Sequence, residues 1–277
     1  MSAFRILSKS PKFIIGFIIF GLILMASLIY PFVNTADPFE MLGSAFQAPD
    51  KTFLLGTDNF GRDMLLELAL GTRTSLLVGV LSGVIATVIG LSIGLFSGYV
   101  GGWIDEGLTA FTNIFMVIPS FVILILISVS VETRSLFLTA GIIGLTSWPW
   151  TARAVRAQTA SLRNRDHIMI AKLTGFNTLR IIRTEILPYI ASYVVMAFII
   201  QLASGILSEA SVSMLGLGPY NTLSLGILLN WALMFEAPRV GAWWTFLPSA
   251  GAIGMITFSL YLMNLGMDEI FNPKLRS

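Results

Sequence analysis

The sequence predicts an all-α membrane protein with six transmembrane helices and both termini in the cytoplasm. Three observations carry that reading. More than half of the 277 residues are hydrophobic (55%) and only 12% are charged, and the mean hydropathy of +0.83 lies outside the range of soluble globular domains. The apolar residues gather in six runs, roughly 13–32, 75–97, 108–131, 136–152, 189–211 and 242–264, against the roughly 20 residues that an α-helix needs to cross the hydrocarbon layer. The basic residues are unevenly shared between the two sides that these runs define. Arg5, Lys9, Lys12, Arg153, Arg156, Arg163, Arg165, Lys172, Arg180, Arg183, Lys274 and Arg276 fall on one side, and Lys51, Arg62, Arg73, Arg134 and Arg239 on the other. Lys and Arg collect in cytoplasmic loops, so the first set faces the cytoplasm.

Composition also excludes several function classes. There is no cysteine and a single histidine, so disulfide frameworks, Cys-ligated metals and His-rich metal centres are not expected. A formal charge of +2 does not suggest nucleic acid as a partner. No G-x-x-x-x-G-K-[ST] phosphate loop occurs, so the chain is not expected to bind ATP in that manner.

The first run follows Arg5, Lys9 and Lys12 but is longer than a signal h-region and lacks a small-x-small cleavage site, which marks it as a retained anchor. It leads into an external loop over 33–71, and residues 1–71 form an anchor-plus-loop unit ahead of a core over 72–277. In the second span, Gly79, Gly83, Ala86, Gly90, Gly94 and Gly98 recur every three or four residues, a stripe that lets other helices approach closely. The third span contains Asn113 and Pro119, and the proline is expected to kink it. In the fifth, Gln201, Ser204, Ser208 and Ser211 lie on one face with Glu209 on an adjacent turn. A polar face in lipid either lines a translocation path or bonds to neighbouring helices. A second external loop spans 212–241. In the first, Gly56 and Gly61 allow tight turns around Thr57, Asp58 and Asn59, with Arg62 and Asp63 free to pair with each other or with the neighbouring loop; a self-folded cap is the favoured reading.

Between the fourth and fifth spans lies the segment RNRDHIMIAKLTGFNTLRIIRTEILP, 163–188, with five basic residues, two acids and the only histidine. Ile168, Ile170, Ala171 and Leu173 suggest a first helix, Thr174-Gly175 a turn, and Asn177 or Thr178 the cap of a second helix ending before Pro188, with Leu179, Ile182 and Ile186 on one face. Such an element can pack an apolar face on the membrane helices while its turn projects into the cytoplasm.

The stretch MIAKLTG followed by ILP resembles the cytoplasmic loop of ABC importer permeases, whose usual form is E-A-A-x-x-x-G and, about a dozen residues later, L-P. Ala171, Gly175, Leu187 and Pro188 match; Met169 and Ile170 stand where Glu and Ala are usual. LLGTDNFGRDMLLELALGTRTSLLVG (54–79), SGYVGGWID (97–105), WPWTARAVRAQ (148–158), SEASVSMLGLGP (208–219) and NPKLR (272–276) resemble, in order, the dipeptide/oligopeptide/nickel branch of that family. Ala110, Asn113 and Leu225 depart from it, at positions where Arg, Asp and Trp are common. The resemblance implies a type I ABC importer transmembrane fold and a coupling loop over about 153–188. It also implies ATPase-coupling roles around Met169, Ala171, Lys172, Gly175, Phe176, Asn177 and Arg180. The partners it implies are a homologous second permease subunit, two cytoplasmic ATPase subunits that bind the ATP and Mg, an extracytoplasmic solute-binding protein and the lipid bilayer. No catalytic residue, cofactor or metal is expected in this chain. Di- and oligopeptides come first as substrates and oligosaccharides second; nickel would call for more ligating side chains. An ion-gradient-driven secondary transporter is the alternative, but it is expected to show paired intramembrane acids, and only Glu209 is available.

Overall fold

In the computed structural model, which describes residues 10–131, 134–219 and 222–271, the regular structure is helical, apart from one isolated bridge between Thr57 and Asp63. Arg5, Lys9, Lys274, Arg276 and the NPKLR motif lie outside the described residues.

The first helix, α1 (Pro11–Val33), starts where Ser10 Oγ accepts from the Phe13 N–H and Pro11 takes the first helical position, where its missing N–H costs nothing. Only Phe13, Gly16 and Ser27 of α1 are buried. Gly16 makes close approach possible: a Cβ there would lie 2.5 Å from the Ser259 carbonyl.

The second helix, α2 (Met64–Val100), has 37 residues and is capped by Asp63, whose side chain accepts from the Leu65 and Leu66 N–H groups. The external loop expected over 33–71 therefore stops at Asp63, because the cap and the helix-forming run after it outweigh the polar character of what precedes. The small-residue stripe seats two neighbours. A Cβ on Gly79 would meet Ile206 at 2.5 Å, whereas one on Gly94 or Gly98 would meet the carbonyls of Ala152 or Arg156 at 2.6 Å.

The third run forms two helices, α3 (Gly102–Val117) and α4 (Ser120–Ser130), bent by 72°. Ile118 is extended (φ −82°, ψ 120°), as a residue before proline tends to be, so Pro119 breaks the span instead of merely kinking it. Next, α5 (Leu136–Leu162) runs 27 residues, about ten past its expected end.

A short helix α6 (Asp166–Leu173) and a turn at Gly175 precede α7 (Thr178–Ile181), a π-helical turn (Ile182–Ile186) and α8 (Leu187–Met214). The expected stop before Pro188 is absent, and Thr178–Met214 runs on as one 37-residue helix. A proline lacks the N–H of the normal ladder and crowds the preceding turn; the π-turn directly before it absorbs the mismatch.

The loop expected over 212–241 contains α9 (Leu225–Met234), capped by Ser224, and α10 (Trp243–Phe271) closes the described chain. Among the described residues four helices (α1, α2, α7–α8 and α10) are long and apolar enough to span a membrane, and the bent α3–α4 pair makes up to five. The expected fourth span lies in α5, which is long enough but is diluted by Thr146, Ser147, Pro149 and Thr151. Phe13, Leu76, Ile199, Leu202, Ile206, Ile256 and Leu260 form the largest core, joining α1, α2, α8 and α10.

Candidate functional site

The segment that links α5 to α8 builds a helix–turn–helix handle from local rules. Ile168 and Ala171 of α6 are buried with Leu95, Tyr99, Val155, Ile181, Ile182 and Ile186, so α6 lies on the ends of α2 and α5. Gly175 has φ +82°, the left-handed conformation that glycine takes at helix ends, and the Gly175 and Phe176 N–H groups donate to the carbonyls of Lys172 and Ala171 at 3.1 Å. Asn177 Oδ1 then accepts from the Arg180 N–H at 2.8 Å. The guanidinium of Arg180 stacks 3.7 Å from the Phe176 ring centroid, and Lys172 Nζ lies 5.2 Å from that of Tyr99.

The expected apolar face is only half buried. Met169, Ile170 and Leu173 are 54%, 60% and 87% exposed, and Leu179 also points outward while Ile181 takes its place in the core. A run of exposed aliphatic side chains thus surrounds the Gly175 turn. No atom lies within 4 Å of where a Gly175 Cβ would sit.

The polar face of α8 divides. Gln201 and Ser204 line a cavity of about 440 Å³ at the α3–α4 bend, together with Pro119, Ser120, Thr146, Ser147 and Tyr261. Gln201 Nε2 also donates to the Ser147 carbonyl (3.0 Å) and Thr151 Oγ1 (2.7 Å). Ser208 is half-buried and Ser211 is exposed, the latter donating to the Leu207 carbonyl. Glu209 is not with them. At about 100° per residue it points roughly a quarter-turn away from the stripe, and it is fully buried against α2. There Oε2 accepts from Ser75 Oγ (2.8 Å) and Oε1 from Ser213 Oγ (2.6 Å). Thr146, Ser147 and Tyr261 lie within the runs read as apolar spans, 136–152 and 242–264, where the sequence reading singled out no polar residue.

A second polar lock joins α3 to α5. Arg156 Nη2 donates to Asp105 Oδ2 at 2.7 Å and Nε to Oδ1 at 2.5 Å, and Ser97 Oγ and Thr109 Oγ1 also donate to Asp105. Arg153 donates to Asn113.

The outer loop folds on itself. Asp58 accepts from the N–H groups of Phe60 and Arg62 at 2.8 Å, Thr57 Oγ1 donates to the Ser44 carbonyl, and Trp244 Nε1 donates to the Thr57 carbonyl at 3.0 Å. Arg62 and Asp63 do not pair with each other. Asp63 caps α2 and accepts from Asn34 Nδ2, whereas Arg62 lies 3.7 Å from the buried Glu67 with Phe39, Phe60 and Trp231 rings around its guanidinium. Burial raises the Asp58 carboxyl above its ordinary value, against the lowering effect of its N–H donors and of Arg62.

Residues 90–277 match the family described as the inner membrane component of binding-protein-dependent transport systems. The chain belongs to this family. It is a permease subunit of ABC importers, a family that is the membrane component and not itself the ATPase, and family membership together with its long apolar helices makes it a multi-pass inner-membrane protein. The permease is 30% identical over 276 residues to a putative peptide transport system permease protein of Brucella suis, covering 98% of this chain and 91% of that one. It is 29% identical to a dipeptide transport system permease protein of Alkalihalophilus pseudofirmus (99% and 90% covered). To an oligopeptide transport system permease protein of Bacillus subtilis it is 30% identical (95% and 85% covered). The handle, the α8 face and the Asp105–Arg156 lock all lie inside the matched family region; the outer loop lies ahead of it but within the span shared with the Brucella relative.

Proposed function

We propose that this permease forms half of the translocation pore of an ATP-driven importer of di- and oligopeptides. A homologous permease supplies the other half, two cytoplasmic ATPases clamp on ATP and Mg, and an extracytoplasmic binding protein delivers cargo to the outer loops. In this reading α5 is the fourth of six spans, both termini are cytoplasmic, and residues 166–181 are the docking handle. The observation that carries it is the unbroken helix from Thr178 to Met214, which joins the exposed aliphatic turn at Gly175 directly to Gln201 and Ser204 on the cavity wall. A tilt imposed at the handle reaches that wall without a hinge, the rigid-body mode that couples two distant sites. Met169, exposed where the family usually has Glu, gives the handle an apolar grip in place of an ionic one. The names of the relatives favour peptides as cargo.

The test uses the assembled transporter with Gly175→Val. A β-branched residue at φ +82° costs on the order of 1–3 kcal/mol locally and meets no neighbour, so the bundle stays folded while the turn is remodelled. The expected result is loss of ATPase co-purification and of ATP-dependent dipeptide uptake, with Gly175→Asn much milder because Asn tolerates the left-handed region. Undiminished assembly and uptake in Gly175→Val, or gradient-driven uptake by this chain alone, would overturn the proposal.

A further inference from the structure

A groove of about 780 Å³ runs between α1 and α2, floored by Leu202 of α8 and closed above by Pro38, Phe39, Thr222 and Leu223. Its walls are almost wholly aliphatic or aromatic, with Leu24 and Phe20 on one side and Leu77 and Val80 on the other. One cation interrupts it: Arg73 is exposed on the groove wall, and among the described residues no carboxylate forms an ion pair with it. An unpaired guanidinium bordering hydrocarbon is costly, roughly 3 kcal/mol at mid-membrane on insertion scales, so its depth and its counter-charge both need an explanation.

The length of α2 supplies the depth. Its 37 residues span about 55 Å at 1.5 Å per residue, far more than the hydrocarbon thickness of about 30 Å. Arg73 lies about 14 Å from the outer end on the same rise, and the apolar run begins just after it, at residue 75. The guanidinium is therefore level with the outer polar boundary of the bilayer, and the groove descends from it into hydrocarbon. We infer that this groove binds a phospholipid of the outer leaflet, its phosphodiester held by Arg73 and one acyl chain laid along Leu77, Val80 and Leu24. The guanidinium fork matches two phosphate oxygens; Thr74 and Thr222 border the same opening, their hydroxyls donating to the Leu70 and Pro219 carbonyls. An acyl chain there would fasten α1, of which only three residues are buried, to the side of α2. The inference rests on the orientation proposed above.

The test reconstitutes the assembled transporter in phosphatidylcholine vesicles that contain phosphatidylglycerol with a diazirine on its acyl chain, and maps the photolabel by mass spectrometry. The expected labels fall on Leu77, Val80 and Leu24. Arg73→Gln should lower them several-fold while Arg73→Lys keeps most of them, a distinction that a purely structural role of Arg73 would not produce. Leu77→Trp, which fills the groove, should remove them. Equal labelling in Arg73→Gln, or label spread evenly over outward residues of α1 such as Ile15 and Ile18, would overturn the inference. So would a Leu77→Cys variant that cross-links to the second permease, since a protein would then fill the groove. Dipeptide uptake and the side from which an impermeant maleimide reaches Asn59→Cys are measured on the same vesicles. They report the proposed function and orientation separately from the lipid site.

Discussion

Ser75 and Glu209 are joined by a hydrogen bond of 2.8 Å inside the protein, and the Ser75 hydroxyl in turn accepts from the Leu225 N–H at 3.2 Å. Three helices, α2, α8 and α9, meet at that one hydroxyl. Ser213 adds a second donor to the carboxylate, so both oxygens of a fully buried acid are occupied from within the chain. A buried polar group satisfied in this way rigidifies its surroundings.

If Glu209 serves this junction and does not handle cargo, Glu209→Gln should keep dipeptide uptake, and Ser75→Ala should lower the thermal stability of the detergent-solubilised transporter. Removing the serine strands a buried acceptor and the Leu225 N–H, at a cost of about 1–3 kcal/mol per stranded group. Loss of uptake in a well-folded Glu209→Gln transporter would place the carboxylate on the translocation path instead.

Helix contact by small residues gives a sharper contrast. A Cβ at Gly205 would lie 2.2 Å from Ser82 Oγ and 3.3 Å from Gly79 Cα, whereas Gly251 has nothing within 4 Å. Gly205→Ala should therefore destabilise, by about 1–3 kcal/mol for overpacking. Gly251→Ala should be neutral or slightly stabilising because alanine favours helix. Melting of the two variants side by side checks this.

The Asp105–Arg156 pair is bidentate and partly exposed, with side chains 21% and 38% accessible. A double-mutant cycle through Asp105→Asn and Arg156→Gln should give a coupling of about 1–2 kcal/mol, above a typical surface pair but below a fully desolvated one. Additive losses would show that the two residues act independently.

For Asp58, burial raises the folded carboxyl above its unfolded value, so the folded cap binds the proton more tightly. Its stabilising contribution is complete below the unfolded value and disappears as pH rises through the raised folded one. Asp58→Asn cannot titrate. Wild type should thus lose stability relative to Asp58→Asn across that acid window, read as the difference in melting temperature at each pH. A difference that does not vary with pH would contradict the assignment.

Much of the architecture was legible because it is local. The Gly175 turn, the Asn177 cap and the glycine stripe each depend on one residue or one period, and the structure has all three. The family membership was legible in motifs distributed along most of the chain. Elsewhere the outcome depended on partners that periodicity does not reveal. The ten residues of α9 are too few to span a membrane and so resembled loop, until Ser224 capped them and Gly226 let them settle against Ala210. Glu209 is one residue from Ser208, yet that single step turns it toward Ser75 and away from the cavity. Arg62 found the Phe39 and Trp231 rings because α9 and the outer loop converge on it, a long-range placement invisible in the stretch GRD. Pro188 announced a stop by the usual rule, and the π-turn that overrides it has no signature in residue type.

The bend at Pro119 has a consequence for solvation. Ending one helix and beginning another inside a membrane strands the last carbonyls of α3 and the first N–H groups of α4, which have no intrahelical partners. Only the Val122 and Ile123 N–H groups find an acceptor close by, the Pro119 carbonyl, at 3.0 and 3.3 Å. Hydrocarbon offers the others nothing, and irregular backbone at membrane depth persists only where it meets protein or water. If the α3–α4 pair crosses the membrane as proposed, the elbow is a point that lipid cannot wet, and the cavity beside Gln201 and Ser204 lies against it as the place where an aqueous route would pass.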